Sequence, residues 1–288
     1  MRIIFLKDKN RINNDIETAL KKLNHKVIVF DSFEQLPEII KKSKKADLFF
    51  FTRGWVDTTI PFSFYTTLRR LEVLLQNIKC KKVMWFTDKV IWLSEEMMEV
   101  IIPFVDYAFL NDDTWVRRHS YDNVFPLHLG AQEIKKGKFR KEYEGDIAFT
   151  GNIYGPRVGF AEGFKKKYGD KFKIYNNVWG KDFADLCASV KILIADRFPT
   201  DEFYWSDRIY KTLGANGFMI YPRLYGMDLT DGKHYIGYST WEECFDAVDY
   251  FLKLEHEEER KKIADEGRKE VVKRFLYTHR LKELLSKI

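Results

Sequence analysis

Uninterrupted apolar runs of strand length alternate with segments of helical period, and no other feature of this 288-residue sequence narrows its fold as much. Arg2 to Leu6 and Lys26 to Phe30 are two such runs, and between them Ile16 to Leu23 repeats its apolar positions at helical spacing. The rhythm continues with a helix near Phe33 to Lys42, a strand at Asp47 to Thr52, a helix from about Phe62 to Ile78 and a strand at Lys82 to Phe86. After a helix near Ser94 to Ile101 come the runs Asp106 to Leu110 and Asn123 to Leu127. A strand with one wet face alternates apolar and polar residues. These runs do not alternate, so both faces must be covered, as in a parallel sheet with helices on either side.

From Gly130 to Gly145 the composition turns to Lys, Glu and Gly, which reads as an exposed linker over residues 131–145. The rhythm then restarts: strands at Asp146 to Thr150, Lys173 to Tyr175, Val190 to Ala195 and Phe218 to Tyr221, with helices reaching Tyr168, near Asp182 to Ala188, and from Asp207 to a left-handed cap at Asn216-Gly217. Three charge-rich helical stretches finish the chain: Trp241 to Leu254, Glu257 to Arg274 and Tyr277 to Ile288. The expected organisation is a doubly wound domain over 1–130, a second over 146–274, and a last helix at 275–288. Such sheets bind ligands outside the carboxyl ends of their strands, so function is expected in a cleft between the two domains.

The net charge of +6 leans toward anionic ligands without choosing among them. Cys80, Cys187 and Cys244 form neither a CxxC pair nor a disulfide framework, which fits a reducing cytoplasm. The six histidines show no HxH or HxxxH spacing, so no metal site is expected. His128, at the end of the first half, reads as structural. No run approaches the roughly 20 apolar residues that span a bilayer, and any membrane contact would be peripheral. The first apolar run is too short for a signal-peptide core.

Asp146-Ile-Ala-Phe-Thr-Gly-Asn-Ile-Tyr-Gly-Pro-Arg157 is a strand running into a glycine turn and a helix opened by proline. Gly151 and Gly155 let backbone approach a ligand closely, and the unpaired amides of the helix start attract an anion. Arg157 adds fixed positive charge. An ordinary strand-to-helix connection would look the same from this stretch alone.

The second half resembles the CgeB-like branch of the group 1 glycosyltransferases. Asp146 to Gly151 with Arg157 looks like that family's strand, turn and arginine; Val178-Trp-Gly-Lys-Asp-Phe183 resembles its next loop. Arg208-Ile-Tyr-Lys-Thr-Leu-Gly-Ala-Asn-Gly217 resembles its Arg-x-(Phe/Tyr)-Glu-x-Leu-x-x-Gly-(Gly/Ala) segment. Thr230 to Tyr238, Trp241-Glu-Glu243, Ile263 to Arg268 and Tyr277-Thr-His-Arg280 complete the order. In the first half, Lys82-Val-Met-Trp-Phe-Thr-Asp88 and Asp106-Tyr-Ala-Phe-Leu-Asn111 match more weakly. The resemblance implies a GT-B architecture of two Rossmann-like domains facing a cleft. It also implies a nucleotide-diphosphate sugar, such as a UDP-sugar, as donor substrate on the second domain, and an acceptor hydroxyl on the first. No tightly bound cofactor and no required metal go with it.

On that reading Gly151, Asn152, Arg157, Trp179, Arg208, Lys211, Asn216 and Gly217 bind the donor. Arg53, Trp55 and Trp85 lie on the acceptor side, and Asp88 or Asp57 takes the acceptor's proton if the reaction inverts. Each has a plainer reading: surface salt bridges for Arg157 and Arg208, a solvated helix face for Lys211, core packing for Trp179 and a turn cap for Asp88. Lys211 stands where relatives have a glutamate expected to hold the ribose, and a lysine cannot accept hydroxyl hydrogen bonds. Asp201, Glu202 or Asp207 could supply that carboxylate, or the chain binds without catalysing. The acceptor is a glycan, a protein or a modified DNA base, and the basic, aromatic segment Trp115-Val-Arg-Arg-His119 keeps DNA among them.

Overall fold

Burial of a strand on both faces is plainest at Leu48–Thr52, where all five residues are inaccessible. With a side-chain period of two, Phe49 and Phe51 pack with Ile39, Leu71 and Met98 on one face, and Leu48 and Phe50 with Ile16 and Leu20 on the other. Each buried phenylalanine contributes about 2–3 kcal/mol. The computed structural model describes residues 1–7, 11–52, 61–90, 92–196, 203–223 and 225–288, in two units: Met1–Leu129 with Tyr277–Ile288, and Gly130–Leu276.

The first unit holds β1 (Arg2–Leu6), β2 (Lys26–Phe30), β3 (Leu48–Thr52), β4 (Lys81–Phe86), β5 (Tyr107–Leu110) and β6 (Val124–Pro126), paired in the order β2-β1-β3-β4-β5-β6. Every pair is parallel. Between them run α1 (Arg11–Lys22), α2 (Leu36–Ser43), α3 (Pro61–Asn77), α4 (Trp92–Ile101) and α5 (Asp113–Arg118). Asp112 caps α5, its Oδ1 accepting the Trp115 amide at 3.1 Å and its Oδ2 the Val90 amide at 3.0 Å. Trp115 is buried, stacks on His119 at 4.0 Å and donates to Glu95 at 3.1 Å. The aromatic part of Trp115–His119 therefore belongs to the core and is no platform for a base.

The second unit repeats the plan with β7 (Gly145–Thr150), β8 (Phe172–Tyr175), β9 (Val190–Ile194), β10 (Met219–Pro222) and β11 (Ile236–Tyr238), ordered β11-β10-β9-β7-β8 and again parallel. Its helices are α6 (Arg157–Tyr168), α7 (Gly180–Ser189), α8 (Arg208–Gly214), α9 (Trp241–Phe251) and α10 (Glu257–Arg274). Residues 131–145, expected as an exposed linker, lie against this unit: Ala131 is buried, and Ile134 and Tyr143 pack on its core. The last helix, α11 (Tyr277–Lys287), packs in the first unit. Tyr277, Leu281 and Leu284, spaced at i, i+4 and i+7, join the core face that contains Ile16 and Leu20.

Candidate anion site at the carboxyl edge of the second sheet

In the second sheet the chain leaves β7 to one side for β8 and returns on the other for β9. The crevice at such a reversal lies outside the carboxyl ends of β7 and β9. Gly151, immediately after β7, has φ +135°, a conformation that favours glycine, and a Cβ there would sit 3.0 Å from Arg208 Nη2. Gly155 has φ +53° in the same turn, and Pro156 precedes the first residue of α6, Arg157.

Arg157 is buried. Its Nε donates to Asp196 Oδ2 at 3.0 Å and its Nη1 to the Asn152 carbonyl at 3.3 Å, with the guanidinium 5.0 Å from the Tyr154 ring centre. Arg208, the first residue of α8, donates from Nε to the Thr150 carbonyl at 3.1 Å and stands over the Phe149 ring at 4.9 Å. Its Nη1 lies 3.6 Å from Asp196 Oδ1. Asp196, just past β9, is only 3% exposed. Two guanidiniums thus share one carboxylate, leaving one excess positive charge among these three side chains, where little water screens it. The cost shows in Arg208, whose basicity is lowered by burial first and by Arg157 second. An anion entering here would offset that excess, and a planar guanidinium presents the paired donors that phosphate oxygens match.

Next along α8, Lys211 forms a salt bridge with Asp207 and holds its Nζ 5.4 Å from the ring centre of Trp179. Trp179 caps α7 and is 38% exposed. Tyr221, in β10 near its carboxyl end, accepts the Ser206 amide at 3.3 Å; burial pushes its hydroxyl up to about 12. The structure therefore gathers Gly151, Asn152, Arg157 and Arg208 around Asp196, with Lys211 and Trp179 on the same edge of the sheet. Asp196 was missed from the sequence, although an acid directly after an apolar strand was the available signal. Tyr221 was read there only as the end of a strand.

Asn216 and Gly217 do not join them. They end the turn that follows α8: the Asn216 amide reaches the Leu213 carbonyl and the Gly217 amide the Thr212 carbonyl, both at 2.9 Å. A Cβ at Gly217 would meet Thr212 Cγ2 at 2.9 Å and Leu193 Cδ1 at 3.0 Å, so the glycine answers to packing at the amino end of β10. Trp85 is likewise a correction. It is fully buried in β4, donates from Nε1 to the Leu127 carbonyl at 3.0 Å and meets Tyr277 edge-on, which leaves no face for an acceptor. Asp88, past the end of β4, is exposed, and its Oδ1 accepts the Lys89 amide at 3.0 Å. His128 is pressed by burial, and secondarily by Arg280, down to about 3, so it is neutral. Arg53, Trp55 and Asp57 lie outside the described residues, as do Asp201 and Glu202. Among the described residues no three His, Cys, Asp or Glu side chains gather as metal ligands, and no helix is long and apolar enough to cross a membrane.

Two parallel, doubly wound sheets of this order, with an arginine pair where the second reverses, define an α/β protein of GT-B fold. The chain belongs to the glycosyl transferase-like family, whose model matches residues 138–286. By family and fold it is a glycosyltransferase. It is similar in structure to Anabaena HepE in complex with UDP and glucose, at 9% identity and TM-score 0.67 over 100% of both chains. An alpha-glucosyltransferase in complex with UDP-glucose and DNA containing an abasic site matches at 11% identity and TM-score 0.67, covering 99% of this chain and 98% of the other. A glycosyltransferase from Rickettsia africae matches at 11% identity and TM-score 0.65, covering 99% and 97%. No curated protein matches the sequence.

Proposed function

We propose that this chain, as a member of the CgeB-like branch, moves a sugar from a nucleoside-diphosphate sugar to a hydroxyl acceptor. Residues 146–274 hold the donor and residues 1–130 the acceptor. The observation that carries the reading is the buried pair Arg157 and Arg208 sharing Asp196 beside the Gly151 turn. As the glycosidic bond breaks, negative charge grows on the departing diphosphate. Fixed donors aimed at that charge each lower the barrier by about 3–4 kcal/mol. The amides of Gly151, Arg157 and Val158 already bond to main-chain carbonyls, so the further donors come from the turn between them, Asn152 to Gly155, and with the arginines they make a metal unnecessary. Trp179 stacks on the base, and Asp207 stands in for the ribose-binding carboxylate that Lys211 displaces.

On the acceptor side Arg53 and Trp55 contact the acceptor, and Asp88 or Asp57 removes its proton if the anomeric centre inverts. UDP-glucose is the first donor to try, because the complexes of HepE and of the alpha-glucosyltransferase contain UDP or UDP-glucose. The acceptor is a glycan, a protein or a modified DNA base, the last supported by the DNA bound to the alpha-glucosyltransferase. The setting is cytoplasmic.

The test is thermal unfolding with UDP-, GDP- and dTDP-sugars, with and without EDTA, alongside Arg157→Ala and Arg208→Ala. Protection by one nucleotide family, kept in EDTA and lost in both variants, is expected; no protection by any donor refutes the reading. A second reading, a protein that binds the donor without turning it over, is favoured by the lysine that occupies Asp207. Binding without turnover on any acceptor, unchanged by Asp88→Ala, would establish it.

A further inference from the structure

Lys135-Lys-Gly-Lys-Phe-Arg-Lys141 carries five basic residues and no acid, and plays no part in the arginine site. Its backbone is fastened along α7. The Lys138 amide donates to Asp185 Oδ1 and the Arg140 amide to Ser189 Oγ, each at 2.8 Å. Gly137 lies so close to α7 that a Cβ would stand 1.9 Å from the Ala184 carbonyl oxygen. With the backbone held inward, the side chains at 135, 136 and 138–141 are all exposed. Lys136 pairs with Asp265 and Arg140 with Glu142, while Lys135, Lys138 and Lys141 meet no counter-ion among the described residues. In the middle Phe139 is 59% exposed, at the rim of an open groove lined by lysines and acids alike, Lys191 being paired with Asp146, so the positive charge is that of the strip itself.

We propose that this strip is a docking surface for an anionic phospholipid bilayer, with Phe139 entering the boundary between headgroups and acyl chains and the lysines resting on the phosphates. Charge alone would fit any polyanion, so the ring decides. A nucleic-acid duplex seats a phenylalanine only by unstacking a base step, at a cost of a few kcal/mol, whereas the boundary of a bilayer takes the ring without that cost. Four of the five cations are lysines, point charges suited to the diffuse field of a headgroup layer more than to the paired contacts arginine makes. The attachment is peripheral, since no described helix is long and apolar enough to cross a membrane.

The experiment is co-sedimentation of the full chain with phosphatidylcholine vesicles and with vesicles also containing phosphatidylglycerol. Retention on the anionic vesicles alone is expected. Replacing Lys135, Lys138 and Lys141 together by glutamine should weaken it about a hundredfold, the equivalent of about 1 kcal/mol for each charge. Phe139→Ala should weaken it about tenfold. Both variants should unfold at the wild-type temperature, because the backbone bonds to α7 remain. Equal behaviour on neutral and anionic vesicles, wild-type binding by either variant, or retention on oligonucleotides but not on vesicles would each overturn the proposal.

Discussion

Replacing Asp196 by asparagine tests the arginine pair most directly, because the substitution keeps the shape of the side chain and removes only its charge. In the native protein Arg157 Nε lies 3.0 Å from one carboxylate oxygen and Arg208 Nη1 lies 3.6 Å from the other. The asparagine oxygen can keep one of these contacts, but no charge then stands between the two guanidiniums, at a position only 3% exposed. Breaking a buried pair on one side costs about 3–5 kcal/mol. For a folding unit of this size that is a fall of about 10 °C in unfolding temperature.

A destabilised protein alone would prove little, so the second half of the prediction concerns anions. Asp196 neutralises the arginines and also repels an incoming phosphate, so the variant should gain more stability from pyrophosphate or UDP than the wild type does. With a donor sugar the same variant should turn over more slowly, since one of the two arginines loses the carboxylate oxygen that orients it. The assay is thermal unfolding across an anion titration, with donor hydrolysis measured in parallel. An unchanged unfolding temperature, or an anion response equal to that of the wild type, would refute the reasoning that this carboxylate holds an excess positive charge in place.

Four further substitutions separate backbone, packing and charge. Gly151→Ala places a Cβ 3.0 Å from Arg208 Nη2 at φ +135°, and should cost about 1–3 kcal/mol and weaken donor binding. Gly155→Ala, at φ +53° with nothing within 4 Å, should cost about 1 kcal/mol in urea unfolding and weaken donor binding less than Gly151→Ala, because its Cβ meets no arginine. His128 is neutral when folded, its value lowered from 6.5 to about 3. The unfolded chain therefore takes up a proton that the folded one refuses. Stability is full above pH 6.5 and falls by about 1.4 kcal/mol per unit as pH drops toward 3, a slope that urea unfolding of His128→Gln should lack. Lys211→Met removes a half-buried partner of Asp207 and should cost about 1 kcal/mol or less, while raising KM for ribonucleotide donors if the lysine orients that carboxylate.

The strands were legible because burial on both faces writes itself into the sequence as unbroken apolar runs. Arg2–Leu6 coincides with β1, buried almost throughout, and Lys26–Phe30 with β2, an edge strand whose run is apolar although it is only half-buried. Two elements lacked that signature: α5 has six residues, most of its first turn buried, and β11 only three. The site was legible where the chain passes through it in one stretch, from Gly151 to Arg157. It was illegible at Asp196, whose role exists only because β9 lies beside β7 in space.

The misplaced residues follow from strand polarity. In a parallel sheet every strand delivers its following loop to one edge and receives the preceding loop at the other. Gly151 and Asp196 come after their strands and reach the carboxyl edge. Gly217 comes before β10 and so belongs to the opposite edge, however well its segment matches a donor-binding pattern. Trp85 sits inside β4, two residues short of Thr87, and a side chain within a covered strand points into a core. Asp88 has passed the strand end and is exposed. The same test applied to the second half selects Asp196 from its many acids, because it closely follows a strand that borders the reversal point of its sheet.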